Sequence, residues 1–86
     1  MYVIIVYDVA SERNSKILKL LRKHLDWVQN SVFEGEVTKA ELEELTSKLQ
    51  NRSSTTDSII IYTIGSEDYV DKTVIGKEKG NTGQIL

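Results

Sequence analysis

The chain contains no cysteine. A disulfide framework and a thiolate metal site are therefore both excluded. A single histidine, His24, rules out a zinc site built from several imidazoles. No apolar run approaches the roughly 20 residues that a membrane-spanning helix needs. The apolar start lacks a basic leader and meets an acid at Asp8, so a signal peptide is not expected. A cytoplasmic location with no membrane partner is the expectation. An excess of basic charge is missing too. Eleven Lys and Arg stand against thirteen Asp and Glu, a net charge of −2, so the average does not mark a nucleic-acid binder. What is left is a chain of 86 residues, 40% hydrophobic and 28% charged, as in an ordinary soluble domain. At that size folding buries only about 60–65% of the unfolded surface. One domain is expected over 1–86, with 66–86 as a C-terminal assembly tail.

Tyr2 to Tyr7 is an unbroken apolar run rich in β-branched and aromatic residues, which predicts a buried strand. It ends at Asp8, and a helix start follows. An acid at the exposed end of a buried strand is held rigidly and still meets water, which makes Asp8 the candidate for chemistry. An acid there can equally serve to turn the chain into the next helix.

Charge is segregated along the chain. Arg13, Lys16, Lys19, Arg22 and Lys23 follow one another with no acid between them, whereas Glu34, Glu36, Glu41, Glu43 and Glu44 are opposed by Lys39 alone. Ser11 is the expected N-cap of a helix over about Glu12 to His24. Ile17, Leu18, Leu21 and Leu25 share one stripe of it, and the five basic residues are expected on the other side. Apart from Glu12 before Lys16, no acids sit four residues before the lysines to compensate them, which favours a backbone-binding surface over a merely solvated face.

Trp27–Gln29 and Val32–Glu36 read as two short strands, with Asn30-Ser31 turning between them, or as one bent strand with a bulge; the hairpin is preferred. Trp27 is expected in the core. Thr38-Lys39-Ala40-Glu41 is a capping box, and Val37 and Leu42 are spaced for a hydrophobic staple. The second helix is expected to run to about Gln50 and to bury Leu42, Leu45 and Leu49. After a polar loop over 51–56, Ile59 to Ile64 predicts a second central strand. Thr73 to Ile75 predicts a short edge strand.

This order predicts an α+β fold, a ferredoxin-like βαββαβ antiparallel sheet with both helices on one face and a short C-terminal edge strand. Both parities of the two long strands are apolar. One face goes under the helices, and the other needs a second cover, which a twofold homodimer, sheet against sheet, would supply. Asp8 shares parity with Ile4 and Val6 and so points toward the expected partner. Two Asp8 carboxylates across the axis, with a phosphate, would suit Mg2+ or another divalent ion such as Mn2+, able to activate water. The basic helix would hold DNA or RNA by its backbone, without reading sequence.

The opening YVIIVYDV, the basic helix after it, VQNSVFEGEVT before an acidic helix, and the closing VIGKEKG stand at a consistent spacing over nearly the whole chain. In these pieces the chain resembles the CRISPR-associated protein two family, the small endonuclease-like subunit of the spacer-acquisition machinery. The resemblance implies a ferredoxin-like homodimer and, in some members, metal-dependent phosphodiester cleavage of RNA or double-stranded DNA. It implies that Asp8 is both catalytic and the metal ligand. Tyr7 sits in the same motif, and Ser31 and Phe33 match positions linked to site structure or activity, with a turn hydroxyl and core packing as the plainer roles. It also implies assembly with the integrase subunit, CRISPR-associated protein one, between two dimers of which the small dimer forms a bridge.

Two departures stand out. Many members carry glycine near His24 and a basic residue where Trp27 stands. A non-catalytic DNA-binding scaffold of the adaptation complex is the second functional class. A toxin-type ribonuclease of the VapD group, which shares the fold and a strand-end acid, is a third.

Overall fold

Seven elements follow one another in the computed structural model, which describes residues 1–65 and 69–78: β1 (Tyr2–Asp8), α1 (Ser11–Arg22), β2 (Asp26–Gln29), β3 (Val32–Glu36), α2 (Lys39–Arg52), β4 (Ser58–Ile64) and β5 (Val70–Gly76). The strands form one antiparallel sheet in the order β2-β3-β1-β4-β5. This is the ferredoxin-like arrangement, with β5 added beyond β4. No helix among the described residues is long and apolar enough to cross a membrane.

Burial alternates along β1. Val3, Ile5 and Tyr7 are buried, and Tyr2, Ile4 and Val6 are partly exposed. The buried set forms one core with Phe33 of β3, Ile59 and Ile61 of β4, Ile17, Leu20 and Leu21 of α1, and Leu45 and Leu49 of α2. Residues of one strand parity meet both helices, so both helices lie on one face. The other face keeps Ile4, Val6, Ile60, Tyr62 and Ile64 half-buried.

The local signals act as their chemistry requires. Thr38 caps α2: its hydroxyl accepts from Glu41 N at 3.0 Å, and the Glu41 carboxylate accepts from Thr38 N at 2.8 Å. Asn30 takes a left-handed φ of 45° in the turn between β2 and β3, a conformation that asparagine tolerates. The hairpin also carries a register shift between Trp27 and Gln29, so turn and bulge are both present.

Both ends of α1, the end of α2 and the extent of β5 differ from expectation. Ser11 is the first helical residue and not the cap; the N-cap is Ala10, which has no side-chain cap. The helix ends at Arg22, with Lys23 N and His24 N bonding three residues back in a tightened last turn. α2 runs past Gln50 to Arg52, into the segment expected to be loop. β5 spans seven residues and pairs with β4 from Ser58↔Gly76 to Ile64↔Val70, because a neighbour's ladder extends a strand beyond its own apolar core. Of the expected assembly tail, 66–68 and 79–86 lie outside the described residues.

The start of α1 is tied instead by Asp57, 47 residues away from Ala10 and only 2% exposed. Its Oδ1 accepts from Ala10 N at 3.0 Å and Arg13 Nη2 at 2.9 Å; its Oδ2 accepts from Arg13 Nε at 2.6 Å and Ser54 N at 2.9 Å. Its own carbonyl accepts from Lys77 N at 2.7 Å. Gly76, at φ 82°, makes that approach possible: a Cβ there would stand 2.2 Å from the Asp57 carbonyl oxygen.

Arg13, then burial acting in opposition, then the Ser54 and Ala10 amides set the Asp57 carboxyl, and it is held well below the usual carboxylate range. Its stabilising contribution is therefore present above the unfolded value of about 3.9 and is lost as pH falls toward the depressed folded value. Asp57→Asn should cost about 3 kcal/mol at neutral pH, since it leaves donors of a buried charged cluster unmatched. Urea denaturation should show that gap shrinking from about pH 5 to about pH 2; a gap constant over that range would contradict the ionic origin of the clamp.

Candidate functional site

β1 delivers Asp8 to an open strand end. Asp8 is exposed, follows the parity of Ile4 and Val6, and so belongs to the sheet face away from the helices. Its ladder partner is Ser58, the first residue of β4 and the neighbour of Asp57.

Tyr7, Ser31 and Phe33 come together on the opposite face. Tyr7 N donates to Ser31 O at 3.1 Å, and the Tyr7 and Phe33 rings stack with centroids 6.2 Å apart and 27° between planes. Phe33 is fully buried and Tyr7 nearly so. Burial pushes the Tyr7 phenol up, while the Ser31 hydroxyl and the Arg22 guanidinium pull it down. Phe33 is a core side chain that fixes Tyr7, the residue before Asp8.

The five basic residues expected on one arc separate into three sets. Lys16, Lys19 and Lys23 line a cleft of about 180 Å3 together with Leu20 and Arg52. Arg52 was not legible as part of it, because the second helix was expected to stop before that position. Arg22 is exposed but does not line this cleft. Arg13 is committed to Asp57 through both Nε and Nη2. It stands four residues before Ile17, on the stripe that faces the sheet, and so cannot belong to the solvent arc.

The lysine cleft borders α1 and the end of α2, while Asp8 lies on the helix-free face, so one protomer does not bring these two groups to one point. Among the described residues no group of three or more His, Cys, Asp or Glu converges to hold a metal. A larger open depression of about 470 Å3 borders α2, β4 and β5 and contains none of these residues.

Trp27 is not in the core. It is 56% exposed on the outermost strand β2, where its indole N–H donates to Asn30 O at 3.0 Å. β2 is the outermost strand, with no neighbour on its far side to cover the ring.

The fold and the strand-end acid define a class: a ferredoxin-like protein with a carboxylate at the open end of its central strand. The family described as CRISPR associated protein Cas2 matches residues 1–72. The CRISPR-associated endoribonuclease Cas2 of Methanosarcina acetivorans is 44% identical over 87 residues, covering all of both chains. Its counterpart in Methanocaldococcus jannaschii is 49% identical over 87 residues, covering all of this chain and 76% of the relative. A crystal structure of Cas2 superposes with a TM-score of 0.75 at 44% identity, covering 100% of this chain and 98% of the other. Streptococcus pyogenes Cas2 at pH 6.5 gives 0.69 at 35% identity, covering 78% and 89%. The chain belongs to the Cas2 family of CRISPR-associated proteins.

Trp27 is the one tryptophan of the chain, so it reports on β2 alone. Its emission should be red-shifted and readily quenched by iodide in the folded protein, and Trp27→Ala should change stability by less than about 1 kcal/mol. A blue-shifted, shielded emission would place a partner over this edge.

Proposed function

We propose that this Cas2-family chain is a nuclease of a CRISPR system that works as a twofold dimer, with Asp8 of each protomer meeting across the axis. The observation that supports this most is Asp8 itself, an exposed acid on a strand otherwise packed into the core, on the face the helices leave open. The relatives are named endoribonucleases, which favours RNA as substrate, with double-stranded DNA as the other phosphodiester of the same chemistry.

The donor set fits a divalent metal only in the dimer. One protomer offers too few carboxylates, whereas two Asp8 residues, water and a scissile phosphate make an oxygen set that suits Mg2+ or Mn2+. When bound, the ion supplies positive charge against the phosphate and eases ionisation of water. The chain's own groups do the rest. Tyr7 and Phe33 hold the end of β1 rigid from the core side. Lys16, Lys19, Lys23 and Arg52 attract and hold the backbone of the nucleic acid outside the cutting site. Ile4, Val6, Ile60 and Ile64 supply the apolar face on which the protomers meet.

The cationic cleft also supports a second role, as the DNA-holding part of an adaptation complex with the integrase subunit, CRISPR-associated protein one, in spacer acquisition. The two roles share the surface and differ in their need for Asp8.

Asp8→Asn should remove metal-dependent cleavage and leave the dimer folded. Equal cleavage by the variant would assign the chemistry elsewhere and leave the scaffold. Replacing Lys16, Lys19 and Lys23 with glutamine should weaken nucleic-acid binding and flatten its dependence on salt; an unchanged affinity and slope would move the binding surface. Sedimentation should find a dimer at micromolar concentration. A monomer there would remove the shared site.

A further inference from the structure

We infer that Asp57 is a positioning residue for Asp8, with Arg13 as the group that holds Asp57; this builds on the proposed role of Asp8 as the metal-holding carboxylate. Asp8 is where the chain leaves the sheet. Val9 and Ala10 belong to no strand or helix, and α1 begins at Ser11. The exit is tied on both sides. Asp8 faces Ser58 in the ladder, and Ala10 N, two residues on, donates to Asp57 Oδ1 at 3.0 Å. Asp57 and Ser58 are consecutive, so both ties run to one point of the α2–β4 connection. A shift of Asp57 moves both of them together.

Asp57 itself has little freedom. Each of its oxygens accepts two hydrogen bonds, and the four donors come from three places: the start of α1, the α1 guanidinium and the loop after α2. The planar fork of Arg13 fixes the plane of the carboxylate, which a point charge on a flexible stem would not do. The same donors leave Asp57 no oxygen to offer a metal, although it sits next to the ladder partner of Asp8. Asp57 is enclosed within the protein, and Asp8 is exposed. A site shared across a twofold axis makes this rigidity matter, because a displacement of one strand end is repeated by its mate. Ligating groups need placement within about 0.5 Å.

The test uses the full-length protein and two readouts: Mn2+ affinity by electron paramagnetic resonance, and steady-state cleavage of RNA. Asp57→Asn, checked as folded by circular dichroism, should bind Mn2+ several-fold more weakly, because the chain leaving Asp8 loses its tie at Ala10. Its kcat should fall with KM for the nucleic acid unchanged, whereas Lys16→Gln should raise KM with kcat unchanged. Arg13→Lys keeps the charge and loses the fork, so it covers the case in which Asp57→Asn does not fold; it should weaken Mn2+ binding several-fold. Wild-type Mn2+ affinity and kcat in folded Asp57→Asn or Arg13→Lys, with both lost in Asp8→Asn, would overturn the positioning role and leave the proposed function standing. Both retained in Asp8→Asn would overturn the function beneath it.

Discussion

The structure depends on one carboxylate with four donors. Asp57 joins the start of α1, the end of α2 and, through its backbone carbonyl, the end of β5. A buried ion pair of this kind contributes little net stability beyond what an apolar contact would, yet removing one partner is costly. Its value here is connective. Three segments that share no ladder or helix are fixed relative to one another by a side chain that is almost fully enclosed. The strand end bearing Asp8 lies next to that junction and inherits its order. Glycine at 76 belongs to the same device, since only a residue without Cβ lets the end of β5 come so close to the Asp57 carbonyl.

Much of the fold was legible because its signals are local. The apolar runs at Tyr2–Tyr7 and Ile59–Ile64, the capping box at Thr38 and Glu41, and the Asn30-Ser31 turn each need only a few neighbouring residues. Asp8 was legible for the same reason, as an acid that breaks an apolar strand. The misjudged features depend on partners distant in sequence. Ser11 has the chemistry of a cap, but the helix begins one residue earlier, with Ala10 as the cap and its amide bound by the carboxylate of position 57. Arg13 lies in an unbroken basic run, and only the folded chain brings an acid to it. Trp27 has the composition of a core residue and sits on a strand with no outer neighbour. The length of β5 is set by β4, whose amides and carbonyls continue past the apolar stretch that marked the strand.

The two sheet faces divide the work. The helix-bearing face takes the large buried side chains and fixes Tyr7 and Phe33 beneath the strand end. The other face carries partly covered aliphatic residues and the exposed acid. The cations divide similarly. Arg13 is committed to Asp57, and Lys16, Lys19, Lys23 and Arg52 form an open cationic surface. A net charge of −2 is therefore compatible with binding a polyanion, because Lys16, Lys19, Lys23 and Arg52 line the cleft with no acid among its lining residues.

The most direct measurement of the account is native-state hydrogen exchange at the amides of Ala10 and Ser54. Neither belongs to a helix or a strand, and both donate to the Asp57 carboxylate. If that carboxylate orders the strand end, both amides should be protected nearly as well as those of the β1 ladder and should open only with the global unfolding of the chain. Exchange at the rate of an open loop would contradict the account.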